Sequence, residues 1–440
     1  MHAHYNPTHE PFFDPPARPM RILHLIQRFW PAAGGAEQHM LALSRHLVQA
    51  GHEVTVLTSD ALDFTGFWDP AQRRVEARQG AVDGIAVQRF SIAHLPAAPL
   101  SYHAVRRALW LGSRVGVPLP ILHRLARLTP RLPALRPWLA RHGHAFDLVG
   151  AMTITFEPFV EAGLAAAQRH GLPFVLYPLT HLGAGPTPAS DALSRYYTMR
   201  HQLDLARRSD AIVAQTLTEA RYLRAQGVES RIAVVGPGID PNALAGGNGE
   251  RFRQQYGIAG PMLLTLGSMC ADKGTPDVVR AVQQLWRGGR ALALVLIGTI
   301  LPDFQQFWDG LPAADRRRIH LLGVVDEGTK RDALAATTLF AMPSRTDSFG
   351  IVYLEAWQYE KPVVAARTWG VMELIEDGED GLLVPFGDPV ALARAIATLL
   401  DDPVRACAMG QRGQQKAQQH TWQHKGAQVE ALYRTLVGAG

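Results

Sequence analysis

Cysteine is scarce. Only Cys270 and Cys407 occur among 440 residues, far apart in sequence. This excludes a disulfide framework and any thiolate metal spacing, and it points to a reducing cytosol. Long apolar runs are missing too. A membrane span needs about 20 apolar residues, and the longest run here, Ala291 to Ile297, suits a buried strand instead. The start of the chain has no cationic segment leading into an apolar one, so no secretory leader is expected. No cluster of carboxylates or histidines carries metal-ligand spacing, so no metal is expected. The last shortage is local. From Gly84 to Ala145 there is no Asp or Glu, against nine arginines: Arg89, Arg106, Arg107, Arg114, Arg124, Arg127, Arg131, Arg136 and Arg141. The computed isoelectric point near 9.3 is therefore unevenly earned along the chain.

What is present is an α/β alternation. At 440 residues, with 47% apolar and 19% charged side chains, two domains are the default. Residues 1–19 hold His2, His4, His9 and five prolines without periodicity, and read as a disordered tail. Arg21 to Ile26 reads as a strand, Ala36 to Ala50 as a helix and Glu53 to Thr58 as a second strand. The turn between the first two carries Gly34 and Gly35, which allow a ligand close to the backbone and set Glu37 in the helix's first turn. Pro173 to Pro178 is a buried strand with His181 just beyond its end, where α/β sheets keep their ligands. Gly183, Gly185, Pro186 and Pro188 make the following loop irregular. Gly236 to Pro241 reads as an interdomain crossing, and Gly246 to Gly249 extends a flexible region. The alternation restarts at Met262, and Ser268 and Lys273 fall in the loop after that strand.

The densest stretch is Met342 to Glu360. A short apolar strand ends at Pro343, polar turn residues follow, and Ile351 to Tyr359 continues as a helix without Pro or Gly. Asp347 and Ser348 are both N-cap types, so the helix is expected to start beside them. Its free amide N–H groups and dipole suit a phosphate, and Gly350 admits one closely. Glu355 lies one turn beyond Ile351. Asp347 is in the preceding loop, so the two carboxylates would reach different parts of one ligand.

Asp-Ser-Phe-Gly-Ile-Val-Tyr-Leu-Glu, with Asp347 and Glu355 at its ends, resembles the Glu-x7-Glu signature of the retaining glycosyltransferases of family four, the group-1 transferases. Gly-Gly-Ala-Glu at 34–37 is similar to the family's first loop, and Thr-Trp-Gly-Val-Met-Glu at 368–373 to its later Gly-Gly-x-x-Glu. The resemblance implies the GT-B fold: two Rossmann-like domains facing across a cleft, with a C-terminal helix crossing back to the N-terminal domain. It implies an acceptor domain over 20–238, with a basic helical insertion at 100–142. A nucleotide-sugar donor domain follows over 239–408, and a terminal helical segment over 409–440. By resemblance Asp347 contacts the transferred sugar, Glu355 holds the nucleotide ribose and His181 faces the sugar end of the donor. Lys273 holds the diphosphate together with the amides of Ser348, Phe349, Gly350 and Ile351. Gly34 and Gly35 face the donor across the cleft, and Val325 lies at the level of the base. The family's usual Arg is replaced by Ser268, and its first Glu by Asp347, one methylene shorter.

The implied activity is retaining, metal-independent transfer of a hexosyl unit from a nucleoside-diphosphate sugar to a glycan or polyprenyl-linked acceptor, with no other cofactor. Ser268 and Asp347 motivate an alternative, a donor-binding or scaffold subunit without turnover; a sugar-nucleotide epimerase of the same fold is a third reading. The arginine-rich stretch fits an anionic membrane surface, an anionic acceptor such as a polyprenyl pyrophosphate, or a solvated basic face, with Ile121, Leu125 and Leu128 on its apolar side. No nucleic-acid module appears. The expected place is the cytoplasm, including the inner face of the membrane.

Overall fold

The computed structural model describes residues 18–32 and 34–438. The expected tail therefore lies almost wholly outside the described residues. Eight strands build the first sheet: β1 Arg21–Leu25, β2 Glu53–Ser59, β3 Gln79–Val82, β4 Ile85–Phe90, β5 Leu148–Met152, β6 Phe174–Tyr177, β7 Ala211–Ala214 and β8 Arg231–Val234, in the order β3-β4-β2-β1-β5-β6-β7-β8. Six build the second: β9 Met262–Leu266, β10 Ala293–Ile297, β11 Ile319–Gly323, β12 Leu339–Met342, β13 Val363–Ala366 and β14 Gly381–Val384, in the order β11-β10-β9-β12-β13-β14. All pairings are parallel except β3 with β4. Helices cover both faces, so inner strands such as Leu148–Met152 and Met262–Leu266 are buried at every residue and read as unbroken apolar runs. This is the expected GT-B architecture. Strand order reverses between β1 and β5 and between β9 and β12, which places the crevices of both sheets beyond those strand ends.

The terminal helix Trp422–Gly438 crosses back onto the helix Gly35–Gln49 of the first domain. A Cβ on Gly426 would run into the His46 ring. Tyr433 is fully buried, its hydroxyl 2.9 Å from His24 Nε2 and 2.6 Å from the Tyr177 hydroxyl. The crossing chain pairs with the entry to this helix: Ile239 N–H donates to His420 O at 2.8 Å and Trp422 N–H to Ile239 O at 3.0 Å.

Several local expectations differ from what is seen. Neither Asp347 nor Ser348 caps the helix Ile351–Gln358, because Asp347 bonds Lys273 and Ser348 bonds Gln215; Gly350 stands at the cap position at φ 98°, where a Cβ would also strike the Tyr353 ring. Gly246 and Gly247 do lie outside regular structure, but the irregular stretch ends there: Asn248 caps a helix, Gly249–Tyr256, and a Cβ on Gly249 would press on Ala335 and Ala336 at 2.8 Å. On the insertion, Leu122 and Ala126 take the buried side, while Ile121 turns to solvent at 47% exposure. Nor is the basic stretch one free face. Arg106 pairs with Glu157 at 2.7 Å, Arg127 and Arg136 both reach Glu161 at 2.5 Å, and Arg89 is buried against main-chain carbonyls.

Candidate active site

The loops after β6, β9 and β12 meet between the domains, where His181, Lys273 and Asp347 lie within reach of one another's charge. Tyr353 fixes the β12 loop from behind: its hydroxyl donates to Met342 O at 2.6 Å, so the helix start is tied to the strand end. Two lysine–carboxylate pairs then organise the site. Lys273 Nζ donates to Asp347 Oδ1 at 2.8 Å, and Lys330 Nζ to Glu355 Oε1 at 2.7 Å. Burial alone would push the Asp347 carboxyl up; the charge of Lys273 and its hydrogen bond more than offset this and hold it below the usual carboxylate range. Burial likewise works against the charge on Lys330, and Glu355 and Glu327 outweigh it, so its pKa is raised.

His181 sits edge-on to Tyr197, ring centres 4.4 Å apart. Burial, helped by the charge of Lys273, lowers its pKa to about 4, so the imidazole is neutral near pH 7. Within the described residues, Asp347 Oδ2, Glu355 Oε2 and His181 Nδ1 are each buried without a hydrogen-bond partner. Such groups cost about 1–3 kcal/mol apiece until something pairs with them.

In the loop after β1 and the helix that follows it, Glu37 accepts from Arg28 Nε at 3.0 Å and from Gln27 Nε2 at 3.3 Å. Gly34 makes room for that carboxylate, since a Cβ there would strike Glu37 Oε2, whereas a Cβ on Gly35 would meet nothing within 4 Å. Ser268 is exposed beyond the end of β9. Phe349 is buried against Gly236 of the crossing chain, where a Cβ would come within 2.5 Å of the ring. Val325 packs against the second-domain core, and Asp326 beside it caps the helix Glu327–Ala336.

Lys330 and Gln215 were not singled out from the sequence, whereas Trp369 and Glu373 belong to the motif at 368–373. Lys330 reaches Glu355 across 25 positions, a pairing no local pattern encodes. Ser348 Oγ donates to Gln215 Oε1 across the cleft at 3.1 Å. Trp369, standing where the resembled motif has glycine, donates from its N–H to Gly183 O at 3.2 Å and from its indole to Gly185 O at 3.0 Å. Glu373 accepts from Leu217 N at 2.7 Å and Thr218 N at 2.5 Å, capping a first-domain helix from the second domain. The loop after His181 is thus tethered rather than free; Asp191 also holds Ala184 N at 2.9 Å.

A family model described as Glycosyltransferase Family 4 matches residues 33–243, and one described as Glycosyl transferases group 1 matches residues 260–402. The chain belongs to the group-1 glycosyltransferases. Two relatives extend this match over nearly the whole chain. A GDP-mannose-dependent alpha-(1-6)-phosphatidylinositol monomannoside mannosyltransferase of Mycolicibacterium smegmatis is 28% identical, covering 93% of this chain and 97% of its own. A D-inositol 3-phosphate glycosyltransferase of Kineococcus radiotolerans is 29% identical, covering 92% and 91%. Among solved structures, the sucrose-phosphate synthase of Thermosynechococcus elongatus superposes with a TM-score of 0.72 at 21% identity, over 96% of this chain and 100% of that one, and so shares the fold. In this group-1 glycosyltransferase no described helix is long and apolar enough to cross a membrane.

Proposed function

We propose that this protein moves a hexosyl unit from a nucleoside-diphosphate sugar to a glycan or lipid-linked acceptor, with retention and without a bound metal. The sugar C1 bond to the β-phosphate oxygen breaks, C1 joins an acceptor hydroxyl oxygen on the same face, and that hydroxyl's proton passes to the departing diphosphate. The observation that carries this reading is the trio of buried, unpartnered atoms on Asp347, Glu355 and His181, beside a helix whose first amides have no intrahelical partner. Glu355 Oε2 takes the ribose hydroxyls, Asp347 Oδ2 a hydroxyl of the transferred sugar, and His181 the region of the anomeric carbon. Lys273 and the amides of Phe349 to Ile351 stabilise the departing diphosphate. The names of the relatives, one on a phosphatidylinositol mannoside and one on an inositol phosphate, support a phosphate-bearing or glycolipid acceptor.

The helical insertion supports contact with an anionic membrane surface at the cytoplasmic face. Leu100 is 76% exposed, Leu111 44% and Ile121 47%, on the same helices as Arg107, Arg114 and Arg124, and Val115, also 76% exposed, directly follows the first of them. Ser268 favours a second reading, a donor-binding subunit without turnover. The test is thermal stabilisation by a panel of nucleotide sugars with and without magnesium, followed by product analysis of anomeric configuration. A magnesium-independent shift with one nucleotide and its sugars, together with a retained product, is expected. Donor binding without turnover across a broad acceptor panel would select the second reading, and no shift at all would reject both.

A further inference from the structure

A cavity of about 370 Å³ opens on the first domain, outside the donor-facing cluster, between the helix Leu100–Arg114 and the segment from Ala189 to Met199. Trp110 forms one wall. The guanidinium of Arg195 lies 4.6 Å from the Trp110 ring centre and that of Arg114 5.2 Å from it. Neither arginine pairs with a carboxylate among the described residues; besides its ring contacts with Trp110 and Tyr196, Arg195 makes one long contact, 3.5 Å, to the Tyr196 hydroxyl. The acid in the cavity wall, Asp191, is already engaged: its carboxylate accepts from Ala184 N at 2.9 Å, Leu193 N at 3.1 Å and Ser194 N at 2.8 Å. Ser190 and Thr198 also line the cavity, their hydroxyl protons already given to Thr187 O and Ser194 O. Two uncompensated forks facing one concave surface suit a tetrahedral dianion, because guanidinium geometry matches phosphate oxygens in pairs.

The position ties this cavity to the reaction. The loop that begins at His181 ends in the cavity wall, and Trp369 of the second domain holds its middle through Gly183 and Gly185. Tyr197, which packs on His181, lies between lining residues Arg195 and Thr198 in the chain. A molecule anchored here could extend past Tyr197 toward the donor.

We infer that this cavity takes a phosphoryl group of the acceptor, a phosphate or pyrophosphate ester gripped by Arg114 and Arg195 over Trp110. The inference rests on the transferase reading above. Its test uses full-length protein and the double substitution R114Q/R195Q, with R114K/R195K as the conservative control. Donor-induced thermal shift and slow donor hydrolysis without acceptor come first, and both are expected to be unchanged by the substitutions; if the parent shows neither, the transferase reading fails. Acceptors are then compared in matched pairs. The soluble arm is myo-inositol against its 1-phosphate. The lipid arm is phosphatidylinositol in phosphatidylcholine vesicles against dioleoylglycerol in the same vesicles. The parent should bind the phosphorylated member of at least one pair about tenfold or more tightly by calorimetry. R114Q/R195Q should erase that preference, and R114K/R195K should restore part of it. The arm showing the preference names the source of the phosphoryl group, and preference in both supports the shared chemistry. Equal binding of both members in both arms, no binding in either, or a preference that survives R114Q/R195Q would overturn the inference.

Discussion

Replacing Lys330 by Met isolates the contribution of the pair that fixes Glu355. The two side chains are 15% and 8% exposed, and the Nζ–Oε1 distance is 2.7 Å. Met keeps most of the apolar stem and removes the charge, so the Glu355 carboxylate stays behind in a mostly dry setting with both oxygens unpaired. Breaking a buried pair from one side costs about 3–5 kcal/mol. Some water reaches Lys330, and Glu327 lies 3.7 Å from it, so the cost falls at or below that range's lower end, about 2–3 kcal/mol. Glu355→Gln removes the orphaned charge from the other side. A double-mutant cycle in urea, followed by circular dichroism, measures the coupling. We expect Lys330→Met to cost about 2–3 kcal/mol, and the double substitution about 1 kcal/mol or more less than the sum of the singles. A loss under about 0.5 kcal/mol for Lys330→Met, with no coupling, would refute the claim that this lysine holds Glu355 in place.

Further expectations follow from the same geometry. Gly34→Ala should displace Glu37 and weaken donor binding, while Gly35→Ala, which meets nothing within 4 Å, should leave folding unchanged; equal stability losses in urea would contradict this. Burial lowers the pKa of His24 and His39 to about 3 and of His181 and His420 to about 4, so each is neutral when folded and titrates near 6.5 when unfolded. Stability should therefore be full above pH 6.5 and fall below it, by up to about 1.4 kcal/mol per pH unit per histidine, until the folded groups also protonate near pH 4 to 3. Denaturation at pH 7.5 and 5.0 measures the slope, and a flat profile would mean that water reaches these rings. Val115→Asp with Ile121→Asp should abolish sedimentation with anionic vesicles; unchanged sedimentation would remove the membrane reading. Glu373→Ala should loosen the interdomain contact and enlarge the radius of gyration in solution, and an unchanged radius would show that Leu217 and Thr218 need no cap.

The fold was legible because parallel strands buried on both faces leave long apolar signatures, and glycines at strand ends announce the crevices. The position of the helix Ile351–Gln358 followed from Pro343 and the uninterrupted run after Gly350. Its cap did not, since Asp347 turns away from the helix to meet Lys273, and only the three-dimensional partner decides that. The same limit hid Lys330, Gln215 and Tyr197, whose roles exist only through neighbours from other elements. Composition misjudged the arginine stretch for a related reason. The stretch has no acids of its own, yet Glu157 and Glu161, just beyond it, come back to neutralise Arg106, Arg127 and Arg136.

These pairings bear on how the cluster receives a diphosphate. Lys273 is shared with Asp347, Lys330 with Glu355, and His181 is uncharged, so little positive charge is left over for two phosphates. The helix amides must contribute the rest, unless position 268 supplies a cation. Ser268→Arg tests this directly. Ser268 is exposed at the end of β9, so a long side chain can be accommodated without disturbing the core. A charge-assisted bond to phosphate is worth about 1.5–3 kcal/mol, and ordering an arginine side chain costs about 1–2 kcal/mol. The net gain is about 1 kcal/mol, a roughly fivefold tighter nucleoside diphosphate. Calorimetric titration of the parent and Ser268→Arg at one ionic strength would show it. No gain, with Ser268→Ala equally silent, would mean that this loop does not face the diphosphate. A gain in affinity accompanied by turnover that the parent lacks would instead identify the parent as the donor-binding form.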